Sequence, residues 1–114
     1  MVGLKDKGHL YLIADSSNRI ETLLENVSRE KFFDSVDLRD AVALNFFKIG
    51  EQIILFSQSF LNEYYGAPWW RLCKMSNIVS VPEEEINWDE VWEIATNDIK
   101  SLREYCEFIL KENK

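Results

Sequence analysis

Between residues 38 and 60 the apolar side chains recur at helical spacing and spread over more than one face. Leu38, Val42, Asn45, Ile49, Ile53, Phe56 and Phe60 make the main stripe, with Asn45 its polar member. Ala41, Leu44, Phe46, Phe47, Ile54 and Leu55 widen it well past the arc that one neighbouring helix covers. The pattern predicts a long helix over residues 36–62, with Asp34 or Ser35 as N-cap and Asp37 favourably placed in the first turn. A helix this broadly apolar has to be covered on more than one side. In a chain of 114 residues the extra face points to a homodimer interface. The alternative is a central helix packed by three others.

The same period runs through the rest of the chain. Leu10, Ile13, Ser17, Ile20, Leu24 and Val27 share one face of a first helix over residues 9–27. Phe32 and Phe33 follow it and are expected to plug one end of the core. Residues 63–67 read as a turn, with Gly66 as a helix C-cap. Pro68 suits the first position of a third helix over residues 68–80. Pro82 stops that helix and biases Val81 away from helical geometry. Asn87, with Glu90 three residues on, caps a last helix whose core stripe is Val91, Ile94, Ala95, Ile99, Leu102, Cys106 and Ile109. Lys100, Arg103, Lys111 and Lys114 lie toward its C-terminal end, where they complement the helix dipole. With two prolines, four glycines and no sustained alternation, strands have little support. The expected fold is all-α, a four-helix, mostly antiparallel up-and-down bundle in a single domain over residues 1–114.

Charge and composition narrow the function classes. A net charge of −7 argues against unaided binding to nucleic acid, because polyanion affinity comes largely from Lys and Arg at phosphates. RNA and DNA are therefore not expected partners. The most apolar stretch, residues 41–60, is interrupted by Asn45, Lys48, Glu51, Gln52 and Gln58, so no membrane span is expected. Residues 1–8 are polar and carry no apolar signal core, which predicts a cytoplasmic protein. Cys73 and Cys106 have no metal-ligand spacing and are expected to be reduced thiols on helices. No metal or cofactor is expected.

Five short runs occur together: Arg39-Asp40-Ala41-Val42, Ile49-Gly50-Glu51, Pro68-Trp69 at a helix start, Met75-Ser76-Asn77, and Val91-Trp92-Glu93-Ile94. In combination, over about residues 8–112, the chain resembles the HepT-like branch of the HEPN superfamily. These are small helical proteins, many of them ribonuclease toxins of toxin–antitoxin pairs. The resemblance implies a motif of an Arg, an Asn, three mostly apolar residues, a His, any residue, then a Tyr. Those positions hold Ser76, Asn77, Val81 and Glu83 in this chain. In the family the Arg and His of two subunits face each other and cleave RNA without a metal. An Arg offers paired donors to a phosphate, and a His exchanges a proton near neutral pH. Ser76 and Val81 supply neither. The one histidine, His9, stands at the start of the first helix and is expected to be structural.

From residue 81 to 98 there are seven acids (Glu83, Glu84, Glu85, Asp89, Glu90, Glu93 and Asp98) and no Lys or Arg. They are expected to cover an exposed loop and a helix start, and they disfavour RNA. Arg71 and Lys74, one turn apart, are the nearest basic residues. They suit one phosphate, or else they pair with the neighbouring acids. In one subset of the family a partner nucleotidyltransferase silences the toxin by adding AMP to the motif Tyr. Glu83 has no hydroxyl to modify, and Tyr64, Tyr65 and Tyr105 do not replace it by position. Trp69 and Trp70, with Trp88 and Trp92, are expected to pack the core where two helix starts meet. Glu51, beside Gly50, is expected to be buried, since the glycine allows close helix approach. The leading expectation is a member without ribonuclease activity, acting by binding as a homodimer and partner of a minimal nucleotidyltransferase. The alternatives are an endoribonuclease using other residues and a nucleotide-binding helper that uses Arg71 and Lys74.

Overall fold

The computed structural model describes residues 2–114; Met1 lies outside them. Seven α-helices run in chain order: α1 Leu4–Leu24, α2 Arg29–Asp34, α3 Val36–Ile54, α4 Gln58–Glu63, α5 Trp69–Cys73, α6 Trp88–Glu93 and α7 Ile99–Glu112. A 3-10 helix, Lys74–Ser80, continues α5, and a 3-10 turn spans Glu83–Glu85. A π-helical turn, Ile94–Asp98, joins α6 to α7 without a break in helical geometry. No strand occurs among the described residues. α1 packs against both α7 and α3, and α3 carries α5 and its 3-10 extension on its other flank.

Contacts at the ends of these elements give the direction of each. The Val2 N–H donates to Asn113 Oδ1 at 3.1 Å, so α1 starts where α7 finishes. Asp6 reaches Ser57, so α1 starts where α3 ends. Phe56, after α3, meets Trp69 at the head of α5, while Arg39 near the start of α3 meets Glu83 beyond the 3-10 helix. The long arms therefore alternate up and down, as the periodicity predicts.

The core follows the predicted stripes closely. Every member of the α6–α7 stripe is buried, from Val91 through Ile109, and Leu10, Ile13, Ser17 and Ile20 of α1 are fully buried. Phe32 is also fully buried and closes one end, sitting against Trp92 at 5.2 Å and Trp88 at 6.0 Å. On α3, Val42, Asn45, Phe46, Ile49 and Ile53 are buried, whereas Leu44, Ile54 and Leu55 are about half exposed or more. The widened stripe thus divides into a core half and an open half.

Element limits depart from the sequence reading at four places. α1 begins at Leu4, with Asp6 in its first turn bonded to Ser57; it ends at Leu24, and Asn26 takes the left-handed conformation (φ 59°) that an Asn tolerates after a helix. The expected helix over 36–62 is broken between Ile54 and Gln58. There the Asp6 carboxylate accepts the Ser57 N–H at 3.0 Å and the Ser57 hydroxyl at 2.6 Å, while Ser57 Oγ accepts the Phe60 N–H and caps α4. The expected third helix is α-helical only through Cys73 and then tightens to 3-10. Gly66 is not a left-handed C-cap, since no described glycine has positive φ. It is a contact point: a Cβ there would lie 2.7 Å from the Tyr105 ring, and its N–H donates to the Tyr105 hydroxyl.

The tryptophans also separate. Trp69 packs with Phe56, Phe60 and Tyr105 and donates its indole N–H to the Tyr64 carbonyl at 2.6 Å. Trp88 and Trp92 form a second cluster on Phe32. Trp70 belongs to neither and is 74% exposed.

Candidate functional site

The segment from Cys73 to Glu83 is shaped by three local causes. The Ser76 hydroxyl turns back to the Cys73 carbonyl at 3.1 Å, an alternative to the helical ladder that short hydroxyl side chains favour. Ile78 and Val79 are β-branched and lose χ1 freedom in a helix. Pro82 follows, and Val81 is extended (φ −96°, ψ 135°). One tertiary contact then seats the segment. A Cβ on Gly50 would lie 2.7 Å from both Ser76 Cβ and the Ser76 backbone nitrogen, and 3.0 Å from the Cys73 carbonyl oxygen. Only glycine lets α3 and the 3-10 helix touch there.

The four motif positions spread over this surface. Ser76 is half-buried against Gly50. Asn77 is exposed, so it does not hold the turn before Pro82 as a buried amide would. Val81 and Glu83 line a cleft of about 290 Å³ with Asp40 and Leu44 of α3, Val79, and Trp88 of α6. A smaller cleft of about 170 Å³ on the other side of Val81 takes in Asn77, Lys74, Glu85 and Glu90. The larger cleft offers two carboxylates, apolar walls and an indole. Among its lining residues there is no Lys, Arg or His.

His9 is elsewhere. Its Nδ1 pairs with Gln52 Oε1 at 2.8 Å, and its ring stands edge-on to Phe56. Gln52 lies twelve positions along α3 from Asp40, roughly 18 Å at helical rise. Arg71 and Lys74 do not converge on one ligand position: Arg71 pairs with Asp98 at 3.1 Å, and Lys74 lies over the Trp70 ring at 5.6 Å. Glu51 is exposed on this single chain, so the glycine beside it, rather than the carboxylate, makes the close approach.

The acidic run is less bare than its sequence. Glu83 faces Arg39 at 3.5 Å, Asp89 pairs with Arg29, and Asp98 pairs with Arg71. Each cation comes from another element, so the fold supplies the counterions that residues 81–98 lack. Arg39 is the cation nearest the motif's end. Its side chain is only 15% exposed, its Nη1 donates to the Phe33 carbonyl, and its guanidinium lies 5.4 Å from the Trp88 ring centroid. The Arg-Asp-Ala-Val run carried that signal, but nothing local in it pointed to Glu83. Among the described residues, no group of three or more His, Cys, Asp or Glu is placed to hold a metal.

Residues 13–109 match the family model described as Ribonuclease HepT-like, and the chain belongs to that family. Two curated proteins of Methanocaldococcus jannaschii are similar to it. One, named "Gamma-glutamylcyclotransferase and putative RNase MJ0434", is 29% identical over 106 residues, which cover 93% of this chain and 48% of that protein. This chain therefore spans about half the length of that relative. The other, "Putative RNase MJ1380", is 22% identical over 103 residues, 90% of this chain and 94% of its own length. No solved structure matches the chain. No helix among the described residues is long and apolar enough to cross a membrane.

Proposed function

We propose that this HepT-like chain acts by binding and not by cutting RNA, as a homodimer that partners a minimal nucleotidyltransferase in a toxin–antitoxin-type pair. The observation that carries this is the cleft at Val81 and Glu83. Its lining holds Asp40 and Glu83 and no basic side chain, so it offers an entering phosphate like charge and no proton carrier near neutral pH. The dimer rests on the open half of α3, where Leu44, Ile54 and Leu55 are exposed near Trp70 and Val79. The same helix exposes Lys48 and Glu51, one charge of each sign, which a second antiparallel copy can pair across a two-fold axis.

An endoribonuclease using other residues is the second reading, favoured by the names of the two relatives. The nucleotide-binding helper has less support, because Arg71 is engaged by Asp98 and Lys74 lies over Trp70. Incubation of the purified chain with RNA in the presence of a chelator separates the first two: the binding reading expects intact RNA, and cleavage overturns it. The double change Ser76→Arg with Val81→His tests the motif alignment in the same assay. Gain of metal-independent cleavage is expected, and a folded double variant that stays inert counts against the alignment.

A further inference from the structure

Of the four tryptophans only Trp70 is exposed, at 74%. Its indole N–H has no hydrogen-bond partner among the described residues. Lys74, one turn on, lies over that ring at 5.6 Å and has no ion pair among them. A stiff apolar ring with a donor at its tip is the kind of side chain that anchors protein interfaces.

The same face carries a matching hollow. A groove runs between α3 and α5 with its 3-10 extension. Ile54 and Trp70 line one end of it, and Leu44 and Val79 line the other. That second end is the 290 Å³ cleft, walled also by Val81 and Trp88, with Asp40 and Glu83 as its acids. Asp40 is exposed and has no ion pair among the described residues; Glu83 has only the 3.5 Å contact to Arg39. The cleft therefore lacks a cation and an apolar filling, and the Trp70 end of the groove offers both. Leu44 and Ile54 are ten positions apart on α3, about 15 Å at helical rise, with residue 49 as their midpoint. The midpoint of the exposed pair Lys48 and Glu51 falls between residues 49 and 50. One two-fold axis beside Gly50 thus pairs Lys48 with Glu51 of a second copy. It also lays the Trp70 end of each copy over the Leu44 end of the other.

We propose that the cleft at Val81 and Glu83 is a socket for Trp70 of a second copy of this chain, with Lys74 of that copy set against Asp40 and Glu83. The socket rests on the homodimer reading and goes beyond it. It fixes the register of the two chains, and it makes the vacated motif end a contact that the second copy closes. The indole gains Leu44, Val79 and Trp88 as neighbours, its N–H gains a carboxylate acceptor, and the ammonium of Lys74 supplies the charge that the cleft lining lacks. By symmetry the contact is made twice.

The test uses the full chain, with sedimentation and circular dichroism on every variant. All substituted positions are exposed, so folding is expected to persist. Trp70→Ala is expected to raise the dimer dissociation constant on the order of a hundredfold. Lys74→Glu and Asp40→Lys each bring like charges together at both contacts, and each is expected to weaken the dimer about tenfold. Mixed in equal amounts, these two variants are expected to form a heterodimer of nearly wild-type affinity, because both contacts regain opposite charges. Glu84→Lys makes the same charge change outside the cleft and is expected not to rescue Lys74→Glu. A monomeric wild type overturns the homodimer reading and the socket with it. A wild-type dimer that Trp70→Ala leaves equally tight overturns the socket alone. So does a mixture no tighter than its separate components, or a rescue by Glu84→Lys equal to that by Asp40→Lys.

Discussion

At the scale of single residues, Gly50 and Cys106 show how one atom can decide a local outcome. A methyl at position 50 has nowhere to go, because two of its three nearest neighbours are backbone atoms of Ser76 and Cys73. Gly50→Ala is expected to cost about 2 kcal/mol through overpacking, against the helix propensity that alanine would otherwise gain. Urea titration of the two proteins measures this, and a neutral or stabilising change would show that the 3-10 segment yields. Cys106 is fully buried, and burial pushes its thiol up to about 12, with Glu107 adding to the rise. In the unfolded chain a thiol ionises near its ordinary value of about 8.5. The stability contributed by this site is whole below that pH. It is lost as pH rises from there toward 12, by about 1.4 kcal/mol per unit. Comparing wild type with Cys106→Ala at pH 8, 9 and 10 isolates the slope, which is expected only in the wild type.

At the scale of elements, the break after Ile54 is held by charge-assisted hydrogen bonds. Asp6 is buried and takes both the N–H and the hydroxyl of Ser57. Removing the acceptor takes away two charge-assisted hydrogen bonds, so Asp6→Ala is expected to destabilise by about 2 kcal/mol and to loosen α4 against α1. Thermal melts report the first effect and amide exchange at Phe60 and Leu61 the second; an unchanged melting curve would mean that α4 is held by its aromatic contacts alone. The α1–α7 pair has its own clamp. Arg103 grips Glu21 through Nε and Nη2 and Glu107 through Nη1 at 2.8 Å. Hydrogen bonding to Glu21, ahead of the charge of Glu107, raises the guanidinium above its ordinary range. The predicted helical stripes name the buried side chains of these elements well, because burial follows a local period. They miss the breaks, because Asp6 and Ser57 are 51 residues apart and no window on the chain contains both.

At the scale of the whole molecule, one chain leaves several large apolar side chains uncovered on α3 and beside it, with the exposed Lys48 and Glu51 among them. Leu44, Ile54 and Leu55, with Trp70 and Val79, are each 49% exposed or more. Sedimentation is expected to give twice the 13.5 kDa chain mass, and Leu44→Glu together with Ile54→Lys is expected to give a folded monomer. Both positions lie outside the core, so loss of folding is not expected. A wild-type monomer at high concentration would remove the dimer and leave this face to another partner.

Sequence by itself determined the helical class, the up-and-down order, the core stripes and the kinship carried by its short runs. All of these reside in local periodicity or in adjacent residues. The tertiary structure alone decided where the long α3 helix breaks, which tryptophans meet, and which charges are neutralised. Glu83 finds Arg39 across 44 residues and Asp98 finds Arg71 across 27. The acidic run beside the motif therefore reads as bare in sequence and is partly paired in space. The physical reason is range: hydrophobic burial repeats along the chain every 3.6 residues, whereas a hydrogen bond or an ion pair depends on one distant atom arriving within about 3 Å.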